Sequence, residues 1–425
     1  MKTSRKVEIQ PTPAQVRSLL QHAGNARWAY NWGLAKKKVA WDARKAALEA
    51  GVSKADAPKV PTAIDLHREL NLLKKKPIED GGVPWMYEAS KCAPQEALRN
   101  LDVSFKNFFR RCKDGAKKKG HPRFKRRRDG IGGFRLTGAV RFEEKVVVLP
   151  TLGRLRLKPG EHGYATTGRY SQATVTEKAG RWFVSVLDAS DVSEAAPNGG
   201  PSVGVDLGVV NLATLSDGTI IKNPRAFSMK AKRLRKALQS LSRKKPGSSN
   251  RRKARVIAAK IHAKIGNLRS DALHKATTFL AKNHGKIVIE DLQVKSMVRK
   301  GKRKRGLNRV LHDASFGEFR RQLEYKAKLY GSEVVAVPAA FTSQKCSACG
   351  STASGNRPSQ ANFCCLSCGF AANADHNASI NILVAGSYSE TKTLVESVSV
   401  GLAVGQFSVD DEARICGGPS DCRLE

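Results

Sequence analysis

The chain has 425 residues, 40% of them hydrophobic, which is enough for two or three domains with cores of their own and excludes a disordered protein. Its 76 Lys and Arg against 37 Asp and Glu leave a formal charge of +39 and a pI near 10.2, far beyond what solubility needs, and so imply a polyanionic partner. The basic runs are spread along the whole length with no long apolar stretch beside them, which favours nucleic acid over an anionic membrane as that partner.

The opening residues, Met1 to Val7, lack the apolar core of a signal peptide, so a cytoplasmic protein is expected. A short strand at Lys6–Ile9 is followed by a Pro11-Thr12-Pro13 break and a helical run through Val16, Leu19, Leu20 and Ala23. The run continues past Trp28, Tyr30, Trp32 and Leu34 to Lys36-Lys37-Lys38. Trp28 and Trp32, four residues apart, read as core residues, with base stacking as the alternative. From Ile64 to Arg111 the pattern is again helical, interrupted by a loop at Pro77–Pro84. A basic loop then spans Lys113 to Arg128, with Lys117-Lys118-Lys119 and Lys125-Arg126-Arg127-Arg128.

Residues 134–188 change to short β segments: Lys145–Leu149, Leu152–Leu157 and a hairpin from Ala173–Glu177 to Trp182–Leu187 turning at Ala179-Gly180. A small antiparallel barrel or sheet is expected. Ser193 to Pro201, rich in Ala, Asn, Gly and Pro, reads as a linker. A strand at Val203–Gly208 follows, with a hairpin of Leu212–Leu215 and Thr219–Lys222 across Ser216-Asp217-Gly218. A long helical hairpin has its turn at Pro246–Asn250, with an apolar face that includes Leu234, Leu238, Ile257, Ile261, Ile265 and Phe279. Its other face carries Arg251, Arg252, Lys253, Arg255, Lys260 and Lys264, a plausible wall of a nucleic-acid channel. A buried strand at Lys286–Glu290, a helix marked by Phe316 to Tyr330, a strand at Glu333–Val337 and a final helix starting near Asp375 complete the series. Three antiparallel strands and then alternating strand and helix is the ribonuclease H order. The run Arg299–Arg305 reads as a loop that orders on nucleic acid.

Two CxxC pairs, Cys346/Cys349 and Cys365/Cys368, each followed by a glycine, Gly350 and Gly369, have the spacing of two knuckles that close a four-thiolate structural zinc site. Cys364 competes with Cys365, but only Cys365 keeps the CxxC spacing. The other cysteines are scattered, so no structural disulfides are expected. Asp206 and Glu290 each end a buried strand, and Asp375 opens a helical stretch. Gathering three such carboxylates costs several kcal/mol in desolvation and repulsion, which divalent cations offset. An all-oxygen set suits magnesium, and two ions would activate a water and steady a leaving phosphodiester oxygen. Singly, each acid could cap a turn or helix or pair with a lysine. Asp217 reads as a turn residue, Asp291 as a solvated or capping neighbour, and His262 and His274 as structural or phosphate-facing.

Several separated blocks resemble the TnpB family of transposon-encoded RNA-guided nucleases and the related type V CRISPR effectors. They are Arg27–Trp32, Pro122–Lys125, Gly204–Gly208, Ile289–Leu292, Thr342–Cys346, Asn356–Gln360 and Asn373–Ala378. The resemblance implies an α/β multidomain chain: the first part of a wedge domain at 1–50, a helical recognition insert at 51–130, and the rest of a wedge β-barrel at 131–195. A RuvC-like nuclease domain at 196–340 carries the basic helical hairpin, a zinc ribbon occupies 341–371, and the last RuvC segment is 372–386. A disordered tail would fill 387–425. The catalytic acids would be Asp206, Glu290 and Asp375, with two Mg2+ and one structural Zn2+. The partners would be a guide RNA and double-stranded target DNA, contacted by Arg27, Tyr30, Asn31, Arg123 and Lys125 as well as Arg251, Arg252, Arg255 and Lys260. A monomer in a prokaryotic cell, nucleoid-associated on DNA, follows. The rival readings are a non-cleaving regulator of transposition and a strand-transferring transposase.

Overall fold

The computed structural model describes residues 3–116, 118–127, 130–160, 169–188, 195–298 and 305–395. The chain divides into two compact units, Met1–Val192 and Ser193–Glu425. Among the described residues, no helix is long and apolar enough to cross a membrane.

In the first unit, β1 (Thr3–Ile9) leads through the Thr12/Gln15 capping box and Pro13 into the 37-residue helix α1 (Pro13–Glu49). Helices α2 (Ala63–Lys75) and α3 (Cys92–Lys113) follow. The strands are β2 (Gly133–Glu143), β3 (Val146–Leu149), β4 (Gly153–Arg156), β5 (Arg169–Lys178) and β6 (Arg181–Asp188). They form one sheet in the order β1-β6-β5-β2-β3-β4, antiparallel throughout. Its two edges meet, because the Gln10 N–H donates to the Arg156 carbonyl (2.8 Å) and the Lys158 N–H to that of Glu8 (3.0 Å). That closure leaves no free edge between β1 and the end of β4. The β5–β6 hairpin turns where expected, with Ala179 and Gly180 both at positive φ (57° and 80°), the conformation a tight two-residue turn demands.

Alternate residues of these strands, among them Val7, Leu136, Val175, Val184 and Val186, point into one core with Leu19, Ala23, Tyr30 and Leu34 of α1. The other side of α1 packs Ala29 against α2 and Met86, with Trp28, Trp32 and Trp85 at the rim of that cluster. His22 pins α1 to the turn before α3: its Nε2 accepts from the Ser90 N–H (3.0 Å) while Nδ1 meets the Ser18 carbonyl (2.8 Å). Burial lowers the His22 pKa and keeps the ring in the neutral form that this acceptor role needs.

In the second unit, β7 (Ser202–Asp206), β8 (Asn211–Leu215) and β9 (Ile220–Lys222) are antiparallel. The helical hairpin α4 (Ala226–Ser242) and α5 (Ser249–Asn283) precedes β10 (Lys286–Glu290) and the short α6 (Val294–Met297). Then come α7 (Arg305–Ala314), α8 (Phe316–Tyr330) and β11 (Glu333–Val337). The small β12 (Asn362–Cys364) and β13 (Ala371–Asn373) pair with each other before α9 (Ala374–Val395). The sheet order is β11-β10-β7-β8-β9, with β10 parallel to both β7 and β11. Three antiparallel strands followed by two parallel ones is the order of strands that the sequence predicts. Buried Asp313 of α7 accepts from the Phe227 N–H at the start of α4 (2.9 Å) and from Arg269 of α5 (2.8 Å), fixing the foot of the hairpin.

Two expectations need correction. The apolar face of the helical hairpin is narrower than its sequence pattern, since Leu238, Ile257 and Phe279 are exposed while Leu234, Ile261 and Ile265 are buried. The last helix also continues past residue 386 to Val395, so a tail starting at 387 is too early; residues 396–425 lie outside the described residues. The basic run 299–304, Lys117 and Arg128 lie outside them as well.

Gly204 lets α9 lie directly on β7. A Cβ there would stand 2.1 Å from the Ser379 carbonyl oxygen and 2.6 Å from the Leu383 nitrogen, both backbone atoms that cannot swing aside. Gly204→Ala is therefore expected to destabilise the protein by about 3 kcal/mol or more, at the upper end of overpacking costs, read as a lowered midpoint in denaturant unfolding.

Candidate active site and metal centre

Asp206 and Glu290 end adjacent parallel strands. The register pairs Ile287 with Val203 and Ile289 with Val205, so the next residues on each strand, Glu290 and Asp206, emerge side by side at the same sheet edge. Asp375 reaches them from the first turn of α9, which Gly204 holds against β7. Asp375 does not cap that helix: the Asn373 side-chain oxygen accepts from the Asp375 and His376 N–H groups (3.0 and 3.2 Å) and leaves the Asp375 carboxylate free of that duty.

All three acids are half-buried. Burial, and then the charges of Glu290 and Asp375, push the Asp206 carboxyl up to about 7. Burial also raises Glu290, against the hydrogen bond from Thr342 Oγ1 to its Oε1 (2.6 Å) and the Arg357 charge. Arg357 is the one cation shown to act on all three: its Nη2 lies 3.3 Å from Asp375 Oδ1, and its field lowers Asp206 and Glu290. The acids are held less tightly together than a closed metal cage, because among the described residues only the four cysteines bring three or more ligand atoms within 4.8 Å of one another. A set of crowded carboxylates that one arginine only partly balances, with oxygen donors alone, still suits a hard divalent cation.

The cysteines fit zinc closely. Cys346 and Cys368 Sγ are 3.8 Å apart, and Cys349 and Cys365 Sγ 3.6 Å, near the sulfur spacing of about 3.8 Å that a tetrahedron with Zn–S bonds of about 2.3 Å requires. Each knuckle turns on its glycine at positive φ, Gly350 at 77° and Gly369 at 74°, whose N–H groups return to the Cys346 and Cys365 carbonyls. Burial pushes the Cys346 thiol up to about 12, whereas at Cys365 the N–H groups of Cys368 and Ser367 outweigh burial and bring it to about 7. Cys364 stays outside the cluster.

The ribbon and the acids form one structure. Asn356, fully buried, donates to the Gln344 and Ser351 carbonyls beside the first knuckle and accepts from the Leu366 N–H in the second, which places Arg357. Asn377 and Asn381 of α9 hold the Lys345 carbonyl, and Asn377 also accepts from the Ser347 N–H. Sequence reasoning assigned no role to Thr342, Asn356, Arg357 or Asn377; their presence in the quoted motifs was the only signal. The two comparison acids stand apart from the centre. Asp217 caps its own turn by accepting from the Thr219 N–H (2.8 Å), and Asp291 pairs with Arg320.

The other predicted contact residues are dispersed. Arg252 and Lys260 are exposed on α5, as is Arg255. Arg251 instead caps the end of α4 through the Leu241 and Lys244 carbonyls (2.8 Å each). In the first unit Arg27, Arg123 and Lys125 line one pocket. Tyr30 is only 5% exposed, with the Lys125 ammonium over its ring, and the Asn31 amide is engaged both ways with the Lys125 backbone (2.8 and 2.9 Å). Tyr30 and Asn31 therefore support the loop that presents Arg123 rather than offering open faces of their own.

Comparison with known proteins finds three family models along the chain: "Helix-turn-helix domain" over residues 1–46, "Probable transposase" over 173–301, and "Cas12f1-like, TNB domain" over 316–382. The first of these covers a strand and part of one continuous helix here. Three similar proteins carry the name "Putative RNA-guided DNA endonuclease". InsQ of Escherichia coli K12 is 38% identical over 71% of this chain and 76% of its own. One of Streptomyces pristinaespiralis is 34% identical over 91% and 90%. Rv2885c of Mycobacterium tuberculosis H37Rv is 30% identical over 93% and 88%.

Two expectations follow from this geometry. An acid whose folded pKa is raised destabilises the fold once ionised, and that burden is present above about pH 7 and fades as pH falls toward the unfolded value near 4. In EDTA, Asp206→Asn should melt a few degrees above wild type at pH 8, with the gap closing by pH 4 to 5 in scanning calorimetry. Cys349→Ser should lower bound zinc from one atom per chain toward none, by elemental analysis. It should also increase proteolysis of the 341–371 segment.

Proposed function

The chain belongs to the TnpB-like family of RNA-guided DNA endonucleases, and we propose that it hydrolyses DNA phosphodiesters at Asp206, Glu290 and Asp375. The observation that carries this assignment is the convergence of three half-buried carboxylates from β7, β10 and α9, one of them pushed up to about 7 by burial and then by the charges of the other two. Carboxylates crowded together out of water in this way are tolerated where a cation is to be bound. Asp206 and Asp375 would hold one Mg2+ and, with Glu290, a second, supplying an activated water and a charge to steady the leaving oxygen.

Around that centre the chain's own groups orient and neutralise. Thr342 keeps the Glu290 oxygen it bonds turned in one direction. Arg357, tied at its other contact to the Gln360 carbonyl (2.7 Å), balances the acids and offers a guanidinium to a scissile phosphate. The zinc ribbon keeps Arg357 and the start of α9 in place and takes no part in bond breaking, because a four-thiolate site leaves no open position. The first unit, as wedge barrel and helical recognition insert, would hold guide RNA and its heteroduplex with DNA, while Arg252, Arg255 and Lys260 of α5 meet the phosphate backbone. Base pairing then selects the target, and the protein reads duplex shape and a short adjacent motif.

The description "Probable transposase" for residues 173–301 supports a second reading, strand transfer at the same acids. The two differ in products: hydrolysis leaves only cut ends, and transfer leaves joined molecules.

The test is to express the protein with its native flanking DNA, sequence the RNA that copurifies, and assay the complex on matched target DNA with Mg2+ or EDTA. Asp206→Ala should abolish cleavage and leave guide and target binding largely unchanged, because the basic surface supplies most of the affinity. Cutting by that variant at the wild-type rate would remove the catalytic assignment.

A further inference from the structure

The tryptophans of α1 are neither fully core nor freely exposed. Trp28 and Trp32, both half-buried, stack nearly parallel (11°, centroids 5.9 Å apart), and Trp85 meets Trp28 edge-on at 5.9 Å. The three line an open groove of about 700 Å³. Its floor has room, since a Cβ on Gly24 would meet nothing within 4 Å. Asn25 lies in the same floor, 2% exposed, and its Nδ2 is buried with no hydrogen-bond partner among the described residues.

Arg27 lines this groove and also a second pocket of about 410 Å³, whose other charged residues are Arg123, Lys125, Arg126 and Arg135. The Asn31 and Lys125 clamp joins the helix to the loop between them. An aromatic shelf thus shares a wall with a pocket of five cationic residues and no carboxylate in its lining.

We infer that the tryptophan groove and the adjoining cationic pocket form a site for one unstacked nucleotide, its base on Trp28, Trp32 and Trp85 and its phosphate among Arg27, Arg123 and Arg126. The chemistry matches on both sides: aromatic rings accept any base by stacking, and the guanidinium groups match a phosphate. This deepens the proposed function and rests on it only in taking nucleic acid as the partner. The nucleotide could belong to RNA or to displaced DNA, which share base and phosphate.

The test uses the full chain, wild type and Asp206→Ala, with single-stranded oligonucleotides containing one 5-iodouridine in RNA or one 5-iodo-2′-deoxyuridine in DNA. After irradiation, peptides are mapped by mass spectrometry. Cross-links to the peptides holding Trp28 and Trp32 or Trp85 are expected, equally in the cleavage-dead protein, and the stronger arm identifies RNA or DNA as the source. Cross-links confined to other peptides in both arms would overturn the site, whatever the cleavage result. In the binding assay, Trp32→Leu and Trp85→Leu should each weaken affinity roughly tenfold, in the range measured for loss of one stacked base. Arg27→Gln should lower the salt slope of binding by about one. Affinities within twofold of wild type for all three would equally reject it.

Discussion

Electrostatic repulsion among Asp206, Glu290 and Asp375 is the constraint around which the second unit is organised. Three carboxylates half-withdrawn from water are costly to hold together, and the chain recruits three separate elements to do so. Parallel pairing of β7 with β10 supplies two of them at one sheet edge. The third depends on α9 lying so close to β7 that only a glycine can stand beneath it. Arg357 lowers Asp206 but does not cancel what burial and then the charges of Glu290 and Asp375 impose on it. The ionised centre therefore weighs on the stability of the fold above about pH 7.

The four-cysteine ribbon acts as a remote brace for that arrangement. Its four sulfurs lock two knuckles, and buried Asn356 joins both knuckles to the Arg357 loop. Asn377 and Asn381 then tie the first knuckle to α9. The four-cysteine ribbon can in this way position groups at the acids without touching them, through the side-chain amides of Asn356, Asn377 and Asn381. Positioning of this kind is what outer-shell hydrogen bonds supply around metal sites in general.

In the first unit the same basic composition is distributed differently. The sheet closes on itself, and α1 divides its surface between the barrel core and the α2–α3 cluster. What it leaves exposed is a strip where tryptophan edges and arginines adjoin. Aromatic area provides stacking and fixed positive charge provides salt-dependent attraction, so the two together favour single-stranded over fully paired nucleic acid.

Much was legible from residues alone, because it is encoded locally. The CxxC pairs with following glycines, the Ala179-Gly180 hairpin, the period-two strands and the acids at strand ends all appear where the sequence places them. The width of the hairpin's apolar face was misread at Leu238, Ile257 and Phe279, since periodicity records which residues could be buried and not whether a partner element arrives to bury them. Tertiary structure alone decided four things: the register that sets Glu290 beside Asp206, the approach of Arg357, the engagement of Asn31 with the Lys125 backbone, and the opening beside Trp28. Each depends on contacts between residues far apart in the chain, and such contacts leave no local period to read.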